Sequence, residues 1–414
     1  MLKSMISSFL ANKILRNVNF VRGSTIGRIR AVNPSLNIRV PFCRFQCPFC
    51  LFINTPYSEA VSDLYVEAVK RELSLYSTYL EELSIKHIYF SGGTPSLISH
   101  RLSDILSYIH ELFGFNGNVA IEANPLDLDD KTLSRLMNAG VTQISIGVQS
   151  FNDSVLKEIG RGYDSNKAVN AVKKAIDYGF EHVNIDLMFP LPGQTIDSLV
   201  RDLELAVSLN VHSVSTYPLM LLPYTEMYRR LRDNASKMES MEEKMYMTIV
   251  DYMTSVGYDV SSIWRFSLKP SSYNGPFEYD EFLGVGPYAW GLVDDLFTVN
   301  TPLVEDYLVI VKRGLPVSAW AKFRDEGSII VKFARGLYRG KVNKGDLYEK
   351  LGVGAEEKLR PLIYILRWAG LIECEGDLLR LTKRGMLYGS LTTKKIVTGL
   401  LMKIHKALGY YPPL

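Results

Sequence analysis

Three cysteines fall within eight positions of one another, in the order Cys43-Arg-Phe-Gln-Cys47-Pro-Phe-Cys50. The C-x3-C-x2-C spacing, on a loop after an apolar run, lets three thiolates hold three irons of a four-iron cluster and leaves the fourth iron without a protein ligand. An open metal position is what an enzyme needs when a cofactor must bind the metal directly. Structural zinc is the alternative and needs a fourth ligand. The nearest later histidine, His87, begins a predicted strand at the end away from the loop. Cys374, between Glu373 and Glu375, stands apart from the motif as a structural or incidental residue. Four cysteines in this arrangement do not make a secreted disulfide framework.

Further groups able to bind a cofactor follow at intervals: Gly92, Gly93 and Thr94, then Glu122, Gln149, Arg161 and Asp186. The elements around them explain the intervals. Short apolar runs at 37–41, 87–91, 119–123, 143–148, 182–187 and 213–218 read as strands. Segments 58–80, 101–112, 130–138, 165–178 and 195–209 carry apolar residues at helical spacing. Six strand–helix repeats predict an α/β fold, a parallel sheet curled into a full or partial barrel. Cys43, Gly92, Gly93, Glu122, Gln149 and Asp186 then fall at the carboxyl ends of five strands, where such sheets and barrels bind ligands. Taken singly, Arg161 reads equally as a salt-bridge partner, and Gln149 and Asp186 as strand-end caps; their joint placement favours function. The segment Leu191-Pro-Gly-Gln-Thr195 reads as a structural turn feeding a helix.

With Phe49 before its last cysteine, the motif resembles the signature of the radical S-adenosylmethionine (SAM) superfamily. Tyr89-Phe-Ser-Gly-Gly-Thr-Pro95, Glu122-Ala-Asn-Pro125, Ile144-Ser-Ile-Gly-Val-Gln-Ser-Phe151, Gly160-Arg161 and Asp186-Leu-Met-Phe-Pro-Leu-Pro-Gly-Gln-Thr195 are similar to one branch of it, the oxygen-independent coproporphyrinogen III oxidase-like proteins. The likeness is strong over 36–223 and weaker beyond.

That resemblance implies a partial parallel (β/α)6-type barrel, a [4Fe–4S] cluster on Cys43, Cys47 and Cys50, and SAM beside it. Reductive cleavage of SAM there gives a 5′-deoxyadenosyl radical that takes hydrogen from an unactivated carbon. It implies Gly92 and Gly93 near the methionine amine, Thr94 as a further cofactor contact, Arg161 at the methionine carboxylate, and Gln149 and Asp186 at the ribose. Phe49 and Glu122 are further SAM contacts. An electron donor such as ferredoxin or flavodoxin is implied as partner, with a role in porphyrin biosynthesis.

Members that decarboxylate coproporphyrinogen carry a fourth cysteine two positions after the third, where this chain has Phe52, and a tyrosine-rich segment ahead of the motif that 1–42 lacks. Phe52 is more similar to the heme chaperone subgroup. That subgroup has a histidine before its glycine-rich stretch, but here none occurs between His212 and His405. His405 and Tyr273 are the substitutes available as heme ligands. A third subgroup, methyltransferases that use a second SAM, stays open as well.

The domain reading is a basic extension (1–35), the radical SAM core (36–223), an extension capping the barrel (224–326), a winged-helix-like domain (327–390) and a basic tail (391–414). Residues 224–257 read as one long helix. In 264–290, Trp264, Arg265, Tyr273, Tyr279, Tyr288 and Trp290 offer either a pocket wall or plain packing. No acidic residue precedes Glu59 and none follows Leu381, although the net charge is only +3. The basic ends read as a solvated face with no specific partner or, with Arg22, Arg28, Arg30, Arg39 and Arg44 around the cysteine loop, as favouring an anionic small-molecule substrate such as a tetrapyrrole. Nucleic acid is the disfavoured partner, for want of a second motif. No apolar run approaches the roughly 18 residues of a membrane span, and 1–15 is amphipathic without a signal-peptide core, which predicts a cytoplasmic protein.

Overall fold

The computed structural model describes residues 2–23, 33–79, 84–268, 273–275, 278–323 and 326–410. Six parallel strands form its centre: β1 (Ser35–Val40), β2 (His87–Gly92), β3 (Asn118–Ala123), β4 (Gln143–Gln149), β5 (His182–Phe189) and β6 (Ser213–Pro218), adjacent in that order. The crossovers carry helices α1 (Glu59–Tyr79), α2 (Leu102–Phe113), α3 (Asp130–Asn138), α4 (Ser165–Asp177) and α5 (Ile196–Ser208).

Local chemistry sets these helices. In α2, Leu102, Ile105, Leu106 and Ile109 recur at i, i+3, i+4 and i+7 and are all buried. Each such side chain contributes about 1.5–3 kcal/mol on leaving water. Asp129 caps α3 by accepting from the Thr132 amide, and Thr195 starts α5 through a capping box with Ser198.

The two faces of the sheet differ in chemistry. Ile144, Ile146, Val148, Val183, Ile185 and Val214 join the core beneath the helices. The alternate positions are polar and bond across strands. Asn184 donates to Ser145 at 2.8 Å, Ser213 and Ser215 donate to Asn184 at 2.7 and 3.1 Å, and Ser91 donates to Asn37 at 2.6 Å. The sheet curls around this face, because Tyr273 reaches both β2 and β5. Its hydroxyl lies 3.2 Å from that of Tyr89 while its ring stacks on His182, centroids 4.8 Å apart.

The sheet runs beyond the six strands expected. Phe282–Val285 pairs in parallel with β1 and leads to Trp290–Val293, Leu296–Asn300 and Val317–Lys322; Arg265–Ser267 and Asp259–Ser262 extend the β6 edge. Segment 224–326 therefore continues the sheet at both edges. These strands have only three to six residues and are broken by glycine and proline, so no period showed them. The expected single helix over 224–257 is broken into Glu226–Leu231 and Ala235–Ser255.

Farther along, helices Glu326–Tyr338, Lys344–Leu351 and Ala355–Trp368 accompany strands Ile372–Glu375 and Leu378–Leu381, with Lys341–Asn343 as a third strand. The final helix, Lys383–Leu408, runs across the boundary drawn at 390 and packs against the N-terminal helix Leu2–Leu15. Among the described residues no helix is long and apolar enough to cross a membrane.

Candidate functional site

The cysteine loop leaves β1 and is clasped at its neck. Phe42–Cys43 pairs with Thr55–Pro56, the Thr55 amide donates to the Pro41 carbonyl at 2.8 Å, and the Tyr57 amide to the Cys43 carbonyl at 2.9 Å. Each thiol has a neighbour from a different element. Thr94 Oγ1 donates to Cys43 Sγ at 3.6 Å, Arg161 Nη1 to Cys47 Sγ at 3.3 Å and Asn54 Nδ2 to Cys50 Sγ at 3.4 Å.

Gly93 brings β2 against this loop. A Cβ there would lie 2.4 Å from the Phe42 carbonyl oxygen and 2.9 Å from Cys43 Sγ, so only glycine fits. Glycine at 93 is thus required by the cysteine loop itself, whereas the sequence suggested close approach of a ligand. Burial pushes the Cys43 thiol up to about 12, with Cys50 and Cys47 adding to the shift against a hydrogen bond from Thr94; burial raises Cys50 as well. Thiols so placed ionise only against a compensating cation. Three of them, with a guanidinium beside one, fit the donor set of an iron–sulfur cluster. No group of three or more His, Cys, Asp or Glu among the described residues is gathered for a single metal ion.

Arg161 is held as a fork: Nε donates to the Tyr163 hydroxyl at 2.9 Å and Nη2 to the Gly147 carbonyl at 2.7 Å, besides the bond to Cys47. Tyr163 in turn donates to the Gly147 and Val148 carbonyls. Burial works against the Arg161 charge, but Tyr163 and Cys47 outweigh it and raise its pKa. Gln149, at the end of β4, takes a left-handed backbone (φ +69°) after a register shift in its pairing with β5.

Glu122 and Asp186 face each other across the sheet. Glu122 accepts from the Tyr89 hydroxyl and from the Gly92 amide, both at 3.2 Å. Asp186 accepts from Ser145 at 3.1 Å and from Asn184 at 2.9 Å. Burial, then the charge of Asp186, raises Glu122 to about 8, and burial raises Asp186 to about 6 against its three hydroxyl and amide donors. Burial thus disfavours the ionised form of both carboxyls, and at Glu122 the neighbouring Asp186 charge adds to it. Phe49 is partly buried against an apolar cluster that includes Val155, Met188, Leu219 and Met227.

The geometry changes several expectations. Arg39 is buried, not offered to a substrate: it donates to the Ile53 carbonyl at 2.6 Å, to Asn54 at 2.9 Å and to the Pro287 carbonyl at 3.1 Å. Arg44, half exposed, pairs with Asp127 at 2.6 Å, and Arg28 and Arg30 lie outside the described residues. Trp264, Arg265, Tyr273, Tyr279, Tyr288 and Trp290 are all buried, and of the six Trp290 borders an apolar cavity, with Val18, Phe282 and Phe297. Sequence reasoning passed over Tyr89, Tyr163, Asn54 and Asn184, which hold the groups it did select. Tyr89 and Asn184 carried one signal, the period-two run of polar residues on the inner face of the strands.

The chain is similar to several known proteins. A family model described as "Radical SAM superfamily" matches residues 37–206. The protein named heme chaperone HemW in Bacillus subtilis (strain 168) is 28% identical over 367 residues, 86% of this chain and 97% of that protein. HemW of Lactococcus lactis subsp. lactis (strain IL1403) is 31% identical over 282 residues, 66% of this chain and 73% of that protein. The solved structure of coproporphyrinogen III oxidase (HemN) from Escherichia coli superposes with a TM-score of 0.74 at 20% identity, covering 89% of this chain and 90% of its own, which shows a shared fold.

Proposed function

Because the chain belongs to the radical SAM, coproporphyrinogen III oxidase-like family that includes the heme chaperones, we propose that it holds a [4Fe–4S] cluster and SAM and uses that site in handling heme. One observation carries the site: the cysteine loop and the strand ends are a single hydrogen-bonded unit, joined by Arg161 to Cys47, Thr94 to Cys43 and Glu122 to Gly92. The heme assignment is supported by likeness to HemW along nearly the whole of that protein.

Cys43, Cys47 and Cys50 would hold the cluster, with SAM bound beside it. When bound and reduced by a donor such as ferredoxin or flavodoxin, this pair supplies a 5′-deoxyadenosyl radical. The protein's share is placement. Arg161 puts fixed positive charge beside Cys47 and the methionine carboxylate. Glu122, next to the Gly92 amide, accepts from the methionine amine, and Gly93 and Thr94 shape that end. Asp186 and Gln149 take the ribose hydroxyls. Phe49 closes the apolar side and excludes water.

A second reading, turnover of an anionic substrate such as a porphyrinogen, is favoured by the completeness of this SAM constellation, since binding heme alone needs neither Glu122 nor Asp186. Anaerobically reconstituted protein separates the two readings. It is given SAM and dithionite with or without heme or porphyrinogen, and 5′-deoxyadenosine and the heme Soret band are followed, with Cys47→Ala as control. A one-to-one Soret complex with little 5′-deoxyadenosine supports heme handling. Cys47-dependent 5′-deoxyadenosine with porphyrinogen supports turnover. No cluster on the wild type, or none lost in Cys47→Ala, overturns the site.

A further inference from the structure

The C-terminal helix Lys383–Leu408 reaches the cysteine loop through one residue. His405 is completely buried, and its Nε2 lies 2.7 Å from the hydroxyl of Tyr288. Its ring packs on Tyr224, centroids 4.6 Å apart. Tyr224 touches the carboxyl end of the loop directly, and Tyr288 reaches it through Arg39. Tyr224 donates its hydroxyl to the Leu51 carbonyl at 3.1 Å. Tyr288 lies beneath the Arg39 guanidinium, 5.3 Å from its ring centre, and Arg39 in turn grips Ile53 and Asn54. Asn54 donates to Cys50 Sγ. Two routes therefore run from His405 to the Cys50–Asn54 stretch, one through Tyr224 and one through Tyr288 and Arg39.

The backbone at Tyr288 is unusual. Its φ is +56°, a left-handed conformation that bulky residues avoid. Such strain persists only where the surroundings over-determine it, and it clusters at working sites. Here the Tyr288 amide is fixed to the Thr301 carbonyl at 2.8 Å, the ring to Arg39 and the hydroxyl to His405. The helix carrying His405 is anchored elsewhere too, by Trp264 Nε1 to Ser390 at 2.8 Å and by Lys403 to the Val18 carbonyl at 2.9 Å.

We infer that His405 is a positioning residue for the metal loop: through Tyr288 and Tyr224 it holds the Cys50 end in the geometry that retains the cluster. This rests on the three cysteines being cluster ligands. It also takes His405 away from heme ligation, because its Nε2 is engaged inside the core.

The test uses full-length protein reconstituted with iron and sulfide. Iron release to a ferrous chelator is timed, and the reduced cluster is examined by electron paramagnetic resonance. His405→Ala and Tyr288→Phe are expected to release iron at least tenfold faster than wild type and to alter the spectrum. His405→Gln, which can still bond the Tyr288 hydroxyl, restores both. Ser390→Ala loosens the same helix away from the loop and leaves release at the wild-type rate. Tyr288→Phe, which keeps the ring, decides the matter if His405→Ala does not fold. Wild-type release in both His405→Ala and Tyr288→Phe overturns the inference, as does release in Ser390→Ala as fast as in His405→Ala. If the wild type itself holds no iron, the reading of the cysteines fails instead.

Discussion

Replacing Gly93 with alanine tests whether β2 and the cysteine loop form one rigid unit. The new methyl would stand 2.4 Å from the Phe42 carbonyl oxygen, 2.8 Å from its carbon and 2.9 Å from Cys43 Sγ, while ordinary contact begins near 3.4 Å. The first two obstacles are backbone, so the strand end or the loop must move by about 1 Å. Two short bonds lie in the path, Gly93 to the Val40 carbonyl and Thr94 to the Phe42 carbonyl, both 2.7 Å. Overpacking costs about 1–3 kcal/mol and a weakened hydrogen bond about 1 kcal/mol, so the variant should lose about 2–4 kcal/mol. Gly140→Ala is the comparison. Gly140 has φ +91° with nothing within 4 Å of a Cβ, so it incurs only backbone strain of about 1 kcal/mol, away from the cysteines. Urea unfolding followed by tryptophan fluorescence gives the stabilities, and iron and acid-labile sulfide analysis gives cluster content. Gly93→Ala should fall below Gly140→Ala on both. Equal cluster content in the two variants would refute the reasoning, because the displaced Cys43 is what distinguishes them.

Three further outcomes follow from the same geometry. Arg161→Lys keeps the charge but cannot reach Tyr163, Cys47 and Gly147 together, so SAM binding by equilibrium dialysis should weaken about 10- to 100-fold; an unchanged Kd contradicts the fork. Glu122 stands at about 8, so if its carboxylate receives the SAM amine, binding should tighten from pH 6 to 8 in the wild type and stay level in Glu122→Gln; parallel profiles count against that role. Glu72, buried beneath the Gly286 amide, Asn300 and Tyr307, is raised by burial from 4.5 to about 7. A carboxyl raised in the fold adds stability at low pH and loses it as pH climbs through the folded value. The wild type, measured against Glu72→Gln so that other titrations cancel, should therefore lose about 3 kcal/mol between pH 4.5 and 7, and a level difference in urea unfolding would be the contrary result.

The core was largely legible because its signals are local. Strands expected at 143–148 and 213–218 are found at Gln143–Gln149 and Ser213–Pro218, and the helix at 130–138 is Asp130–Asn138. Apolar alternation and helical spacing are written within a few neighbours, and the cysteine spacing is likewise a local pattern. What failed was long range. Arg39 reads as one more surface cation until the fold carries Pro287, 248 positions away, to its Nη1. The Tyr288–His405 bond spans 117 positions and leaves no periodic trace. Gln149 offers its amide in the sequence, but nothing nearby announces its left-handed backbone, which coincides with a register shift against β5.

The inner face of the barrel also limits where chemistry can occur. Below Glu122 and Asp186 the space is taken by the protein's own groups: Tyr273 bridges Tyr89 and His182, and Arg265 pairs with Glu278, both side chains 5% exposed. Arg265 also donates to the Tyr273 carbonyl at 3.0 Å and lies 4.7 Å from the Tyr273 ring centre, so the plug is tied on two sides. On the cysteine side there is instead a concavity of about 430 Å³, bounded by the loop with Tyr224, Glu226, Arg229 and Tyr410. Cys43, Cys47 and Cys50 all border that concavity, and Tyr224 on its wall packs on His405 of the final helix. In this chain Tyr224 both borders that concavity and joins His405 to the Leu51 carbonyl, so the last helix reaches the loop although it lies some 350 positions from the cysteines in sequence.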